Sequence, residues 1–154
     1  MKRSGINAIL EEAKAFIASF GHVLPPFAHL SPAEMKARRA ELAGIVDARL
    51  GWDITDYGKG DFACTGLTLF TARNGNAADL ARGRGMLYAE KIMISRRDQL
   101  APMHRHAVKA EDIINRGGGV LALKLYMSAP DGSIDRGAKV AVPTDGVVRA
   151  LEPG

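Results

Sequence analysis

The chain has 154 residues, a formal net charge of +4 and one cysteine, Cys64. A chain of this length is expected to form one domain, in which folding removes about 70% of the unfolded surface from water. A lone cysteine excludes an internal disulfide framework and fits a cytoplasmic setting. The basic residues are scattered and aromatic residues make up only 6%, so composition argues against nucleic-acid binding. Glu11 and Glu12 interrupt the first apolar stretch, so we expect no export signal and no membrane span.

Two helices are predicted in residues 1–50. Between residues 4 and 20, apolar residues recur at the three-four spacing of one helix face, and Gly21 supplies the stop. Residues 31–34, Ser-Pro-Ala-Glu, form a capping box that begins a second helix running to about Leu50. Neither helix carries a metal or nucleophile motif. We expect this helical extension to cover a sheet or to meet a second subunit.

From residue 51 onward, short apolar runs are broken by Gly, Asp and Asn, which is typical of β structure. The sequences Asn74-Gly75 and Asp131-Gly132 predict turns. This pattern predicts a mainly β protein, a jelly roll or related barrel whose mouth can hold a small ligand. Strands are predicted at 66–72, 86–95, 99–104, 109–115, 120–127, 139–142 and 147–151.

The most informative stretch contains His104, His106 and Glu111. On a strand the two histidines, two residues apart, point to the same side. Glu111 follows five residues later, so it joins them only if the chain turns and returns on a neighbouring strand. Two imidazoles and one carboxylate suit a divalent transition ion with positions left open for water or substrate. The alternative is a His-x-His on the solvent face of a strand. The apolar residues around the trio add weight to the metal, because a buried polar cluster needs a partner, and the residues alone leave both readings open.

Lys91 shares one face of its predicted strand with Ala89 and Met93, opposite Ile92 and Ile94. If that face lines a barrel interior, the ammonium lies near the metal and can stabilise a developing oxyanion. If the other face points inward, Lys91 is solvated. Alternation alone leaves both readings open.

The His-x-His motif resembles the first metal motif of the cupin superfamily, and the chain more narrowly resembles the D-lyxose ketol-isomerases. The resemblance spans nearly the whole chain and is carried by 51–58, 66–76, 88–93, 102–106 and 111–119. Its most specific part is Glu-Asp-Ile-Ile-Asn-Arg-Gly-Gly-Gly close to His-x-His. One departure is Asp98, where the cupin motif usually has glycine. Trp52 and Asp53 are further candidates for the substrate pocket, but their spacing in the sequence does not show where they lie.

The resemblance implies one cupin-type domain over 1–154, with a jelly-roll barrel in 51–154. It implies Mn²⁺ held by His104, His106 and Glu111, with Lys91 and Glu111 as catalytic residues. The family's fourth ligand is a histidine in a second motif, downstream of a Pro-Gly like the one at 153–154. We therefore expect an N-terminal portion that lacks this motif, with a barrel incomplete at its C-terminal end.

The implied reaction interconverts an aldose and a ketose, of the D-lyxose to D-xylulose type. A base moves a proton between C1 and C2 while the metal stabilises the enediolate. The expected partners are a pentose substrate and a second subunit in a homodimer. Two alternatives stay open: an iron oxygenase with a His-His-Glu triad, and a catalytically incomplete fragment that binds metal or sugar.

Overall fold

The computed structural model describes the backbone of residues 1–154 and every side chain except that of Ala77. The chain forms two compact units, Met1–Lys109 and Ala110–Gly154. None of the helices in the described residues is both long and apolar enough to cross a membrane.

The first unit begins with α1, Arg3–Ser19, which confirms the first predicted helix. It ends where expected, because Gly21 has a φ of +71° and its N–H donates to the Ala18 carbonyl at 2.9 Å. A short 3-10 helix follows at Pro26–His29.

The second predicted helix is broken into α2, Pro32–Ala37, and α3, Ala43–Asp47. The capping box is confirmed: the Ser31 hydroxyl accepts from the Glu34 N–H, and the Glu34 carboxylate accepts from the Ser31 N–H at 2.7 Å. The continuous helix to Leu50 was wrong. Most of this segment is exposed, and a short helix with little apolar contact is only marginally stable.

A three-stranded antiparallel sheet forms the centre of this unit, in the order β1-β2-β3. Its strands are β1, Gly51–Thr55; β2, Leu67–Arg73; and β3, Glu90–Ile94. β2 and β3 lie in predicted strand segments, whereas β1 was not among them. A short helix, α4, Ala77–Leu80, lies between β2 and β3.

The core lies on one face of this sheet. Phe70 is fully buried, with its ring centroid 5.5 Å from that of Phe27 and 4.9 Å from that of Trp52. The Trp52 indole N–H donates to the Ala28 carbonyl at 2.9 Å, which ties the 3-10 helix to β1. Ile17 of α1 belongs to the same cluster. The first predicted helix and the 3-10 helix therefore cover this face, whereas no described residue of α2 or α3 belongs to the cluster.

The second unit consists of two hairpins: β4, Met127–Ser128, with β5, Ile134–Asp135; and β6, Val140–Thr144, with β7, Val147–Leu151. The predicted turn at 131–132 is confirmed, since Gly132 has a φ of +84° and the Ser133 N–H donates to the Asp131 carboxylate at 2.9 Å.

Four strand predictions were wrong in whole or in large part. Segments 99–104 and 109–115 are not strands, 120–127 is strand only at its last residue, and 86–95 is strand only at 90–94. A strand forms only where its backbone N–H and C=O groups pair with a neighbour. In the described residues the segment near 100 has one isolated bridge, between Thr65 and Leu100.

The fold is mixed, with comparable amounts of helix and strand, and not mainly β. In the part of the chain that the structure describes, the strands form three small antiparallel sheets and no closed barrel. Hairpins of two-residue and five-residue strands form locally, whereas a barrel requires pairing between segments far apart in sequence.

Candidate functional site

The segment before the two histidines is anchored by Gln99, a buried polar residue. Its side-chain Oε1 accepts from the Arg96 N–H at 2.9 Å, and its Nε2 donates to the Phe62 carbonyl. The sequence did not indicate a role for Gln99, because it belongs to no recognisable motif. Gln99 anchors the segment because the oxygen and the nitrogen of its side-chain amide are both hydrogen-bonded to backbone groups.

Backbone bonds continue this anchor one residue further. The Leu100 N–H donates to the Cys64 carbonyl at 2.9 Å, and the Gly66 N–H donates to the Leu100 carbonyl at 3.1 Å. A Cβ at Gly66 would lie 2.7 Å from the Phe62 ring, so only glycine permits this approach. The chain leading to the histidines is thus held beside the start of β2.

Asp98, the departure from the cupin glycine, has a φ of +56°. This is the left-handed region that glycine adopts freely and that Asp tolerates better than most residues. Asp98 therefore has a backbone conformation that a glycine at this position would also adopt.

His104 and His106 lie side by side, with ring centroids 5.0 Å apart and ring planes at 77°. The two imidazoles lie close together, although the segment that carries them is not a strand and both residues are exposed. The His104 Nδ1 lies 2.8 Å from the Pro102 carbonyl oxygen. A carbonyl only accepts hydrogen bonds, so Nδ1 carries a proton, and the neutral tautomer compatible with this contact has its lone pair on Nε2. A metal-ligating histidine usually has this arrangement, in which a backbone carbonyl fixes the tautomer.

The third predicted ligand, Glu111, belongs to the second compact unit and is exposed. Among the residues that the structure describes, no group of three or more His, Cys, Asp or Glu side chains is arranged to hold a metal ion. The structure thus brings together the histidine pair, and the full ligand set stays a prediction.

Lys91 lies on the sheet face opposite the core. Ile92 and Ile94 pack against the Phe70 cluster, which leaves Lys91 and Met93 on the other face, where both are exposed. The sequence did not tell which face of β3 meets the core. The structure shows that the face with Ile92 and Ile94 does, and that the face with Lys91 is exposed to solvent.

The pairing of β1 places Asp53 on the same face as Lys91. Asp53 lies opposite Leu69, which in turn lies opposite Met93. Trp52, its neighbour, points into the core. Within the described part of the chain, neither Asp53 nor Lys91 has an ion-pair partner.

Tyr57 follows directly after β1 and is half-buried, with a φ of +52°. Its N–H donates to the Thr55 hydroxyl at 2.9 Å. Burial, and secondly the negative charge of Asp53, raise the pKa of the Tyr57 phenol above its ordinary value. The charge of Asp53 therefore acts on the Tyr57 phenol, an influence that their spacing did not reveal.

Comparison with known proteins defines the class first. The chain is 50% identical over 127 residues to the D-lyxose/D-mannose isomerase of Serratia proteamaculans, covering 82% of this chain and 55% of that protein. It is 48% identical over 127 residues to the protein of the same name from Escherichia coli O157:H7, with the same coverage of both chains. The relatives are sugar isomerases. The chain spans about half the length of these curated relatives.

A sequence model of the D-lyxose isomerase family matches residues 1–154. The chain therefore belongs to the D-lyxose isomerase family.

Proposed function

We propose that the protein is a metal-dependent aldose-ketose isomerase that interconverts D-lyxose and D-xylulose. Family membership and the names of the two relatives support the reaction class. The observation that carries the proposal is the histidine pair, in which the Pro102 carbonyl fixes the tautomer of His104 and the His106 ring lies in contact with it.

The donor set fits a divalent transition ion. His104 Nε2 is the nitrogen that holds the lone pair in the neutral tautomer, and the His106 ring lies beside it, so the two imidazoles are proposed as ligands of one ion. Glu111 is proposed as the oxygen donor on the basis of its position five residues after His106. Mn²⁺ is the proposed ion, and nitrogen and carboxylate ligands also accept iron, cobalt, nickel or zinc. When bound, the ion supplies positive charge that stabilises an enediolate.

Lys91 is proposed to bind a sugar oxygen through its ammonium. Its exposure, and the lack of an ion-pair partner among the described residues, leave its three N–H donors available to substrate. An ammonium next to a developing oxyanion lowers the barrier by electrostatic stabilisation. Glu111 is proposed as catalytic through its carboxylate, which contributes negative charge and an oxygen donor to the same site.

The proposal extends to the fold, the oligomeric state and the cellular location. A cupin-like jelly roll is supported by the antiparallel sheets and by the His-x-His motif. A homodimer is supported by the exposed ring pair of Phe16 and Phe20 on α1, whose centroids lie 5.0 Å apart. A cytoplasmic location is supported by Cys64, which is an exposed free thiol.

The test compares His104→Ala with His22→Ala, which removes an exposed histidine from the loop after α1. Each protein is loaded with Mn²⁺, gel-filtered and analysed for metal content and for lyxose-xylulose conversion. We expect His104→Ala to lose metal retention and at least about 100-fold in turnover, because a ligand is removed. His22→Ala should keep both.

Unchanged metal stoichiometry in His104→Ala would contradict the site. Metal retained by the unaltered chain without sugar turnover would favour a binding protein. Metal-dependent consumption of dioxygen would favour the oxygenase alternative.

A further inference from the structure

We propose that Asp53, together with Tyr57, binds the hydroxyl end of the sugar remote from its carbonyl and so contributes to substrate selectivity. This inference rests on the proposed isomerase function, because it takes the site around Lys91 as the carbonyl end. It assigns a role to Asp53, which lies at the opposite edge of the same sheet face, and to Tyr57, which follows β1 in the chain.

The sheet register sets the distance between the two ends. Asp53 lies in the row Asp53-Leu69-Met93, and Lys91 lies opposite Thr71, in the next row that points to the same face. Two strand spacings across and two residues along a strand separate the two Cα atoms by about 12 Å. Both side chains extend from the same face, which leaves between them a span that a five-carbon chain and its hydroxyls can bridge.

The surface between these ends has the composition of a small-molecule site. Leu69 and Met93 form an apolar floor, and Met93 is 51% exposed. The polar groups stand at the edges: a carboxylate on β1 and an ammonium on β3. A sugar presents apolar C–H groups on its faces and hydroxyls around its edge. An apolar floor with a few polar groups at its edges matches both.

Asp53 and Tyr57 are complementary in hydrogen bonding. An ionised carboxylate only accepts, whereas a protonated phenol donates and accepts, so together they satisfy a hydroxyl in either direction. The phenol is protonated near neutral pH, because the ordinary pKa of tyrosine is about 10 and that of Tyr57 is raised above it. The Thr55 hydroxyl accepts from the Tyr57 N–H and so holds the Tyr57 backbone beside the end of β1.

The charge of Asp53 is available for this purpose. In the described residues its carboxylate has no cation within ion-pair distance and no side-chain hydrogen bond, and the residue is exposed in the middle of β1. The other carboxylate on this sheet, Glu90, is instead 3.6 Å from Arg73. Glu90→Gln is therefore a matched control: it removes one negative charge from the same sheet but leaves the proposed contact between Asp53 and the sugar hydroxyl unchanged.

The experiment measures KM and kcat for Asp53→Asn, Tyr57→Phe and Glu90→Gln with two substrates, D-lyxose and 5-deoxy-D-lyxose. We expect Asp53→Asn to raise KM for D-lyxose by about 10- to 100-fold, which is the effect of losing one charge-assisted hydrogen bond. Tyr57→Phe should raise it by about 2- to 10-fold, because a neutral bond is lost. Both variants should match the unaltered protein on the 5-deoxy sugar, since the contacted hydroxyl is already absent. Glu90→Gln should behave like the unaltered protein with both sugars.

Equal losses on both sugars would indicate a structural role for Asp53 and would overturn the inference, as would no loss on either. If the unaltered protein converts neither sugar, the proposed isomerase function fails separately. Calorimetric titration with the pentitol obtained by reducing D-lyxose then decides the inference alone. Weaker binding to Asp53→Asn than to the unaltered protein supports it, and equal or undetectable binding to both overturns it.

Discussion

Replacing Gln99 by methionine should destabilise the Met1–Lys109 unit by about 2–4 kcal/mol. Methionine has a similar length but neither donates nor accepts as the amide does, so the Arg96 N–H and the Phe62 carbonyl lose their partners. Each unsatisfied group that stays shielded from water costs about 1–3 kcal/mol, and the extra apolar burial of methionine offsets a small part of this. The change should also loosen the backbone bond from Leu100 to Cys64, which lies directly after the anchor.

The free energy of unfolding is measured by urea titration, with the fluorescence of Trp52 as the probe. Trp52 is the only tryptophan and contacts the Phe70 ring, so it reports on the core of this unit. Hydrogen exchange of the Leu100 amide gives a local readout, and we expect its protection to fall. The control is Arg97→Gln, since Arg97 is 96% exposed and its removal should change stability by less than about 0.5 kcal/mol. A Gln99→Met protein within 0.5 kcal/mol of the unaltered one, with Leu100 equally protected, would refute the anchoring role.

Two further changes test the local backbone devices of this unit. Ser31→Ala should lower stability by about 1 kcal/mol, because it removes the acceptor at the start of α2, and Ser31→Asp should retain most of the stability. The hydrogen bonds from Ser31 lower the pKa of Glu34, so its contribution is present above the unfolded-state pKa and is lost as pH falls through the folded-state value. The difference in stability between the unaltered protein and Glu34→Gln should therefore disappear in acid; a difference that persists there would contradict this account. Asp98→Val should cost about 1–2 kcal/mol at a φ of +56°, whereas Asp98→Gly should be tolerated, and equal unfolding midpoints for the two variants would contradict the conformational argument.

Features that depend on neighbours within a few residues were predictable. The stop of α1 at Gly21, the capping box at 31–34 and the turn at 131–132 all involve bonds between residues two to four positions apart. The proximity of His104 and His106 belongs to the same group, because a separation of two residues keeps their side chains close even without a strand. Such signals are contained in the sequence pattern itself.

The candidate site was only partly predictable, because it depends on contacts between residues that are far apart in the chain. Spacing could not place Asp53, and it could not tell which face of β3 meets the core. Both depend on the pairing of β1 with β2 and of β2 with β3, which joins residues separated along the chain. Gln99 was missed because its role comes from reaching the carbonyl of Phe62, 37 positions away.

By itself, the sequence determined the helix ends, the turns and the close pair of imidazoles, since these arise from bonds and sterics within a few residues. Only the tertiary structure decided that the segment after α2 would not continue as one helix, that Ile92 and not Lys91 would face the core, and that Asp53 would share the face of Lys91. The physical reason is that strand register and burial are set by pairing between distant segments, and the energy of that pairing is not contained in any short stretch of residues.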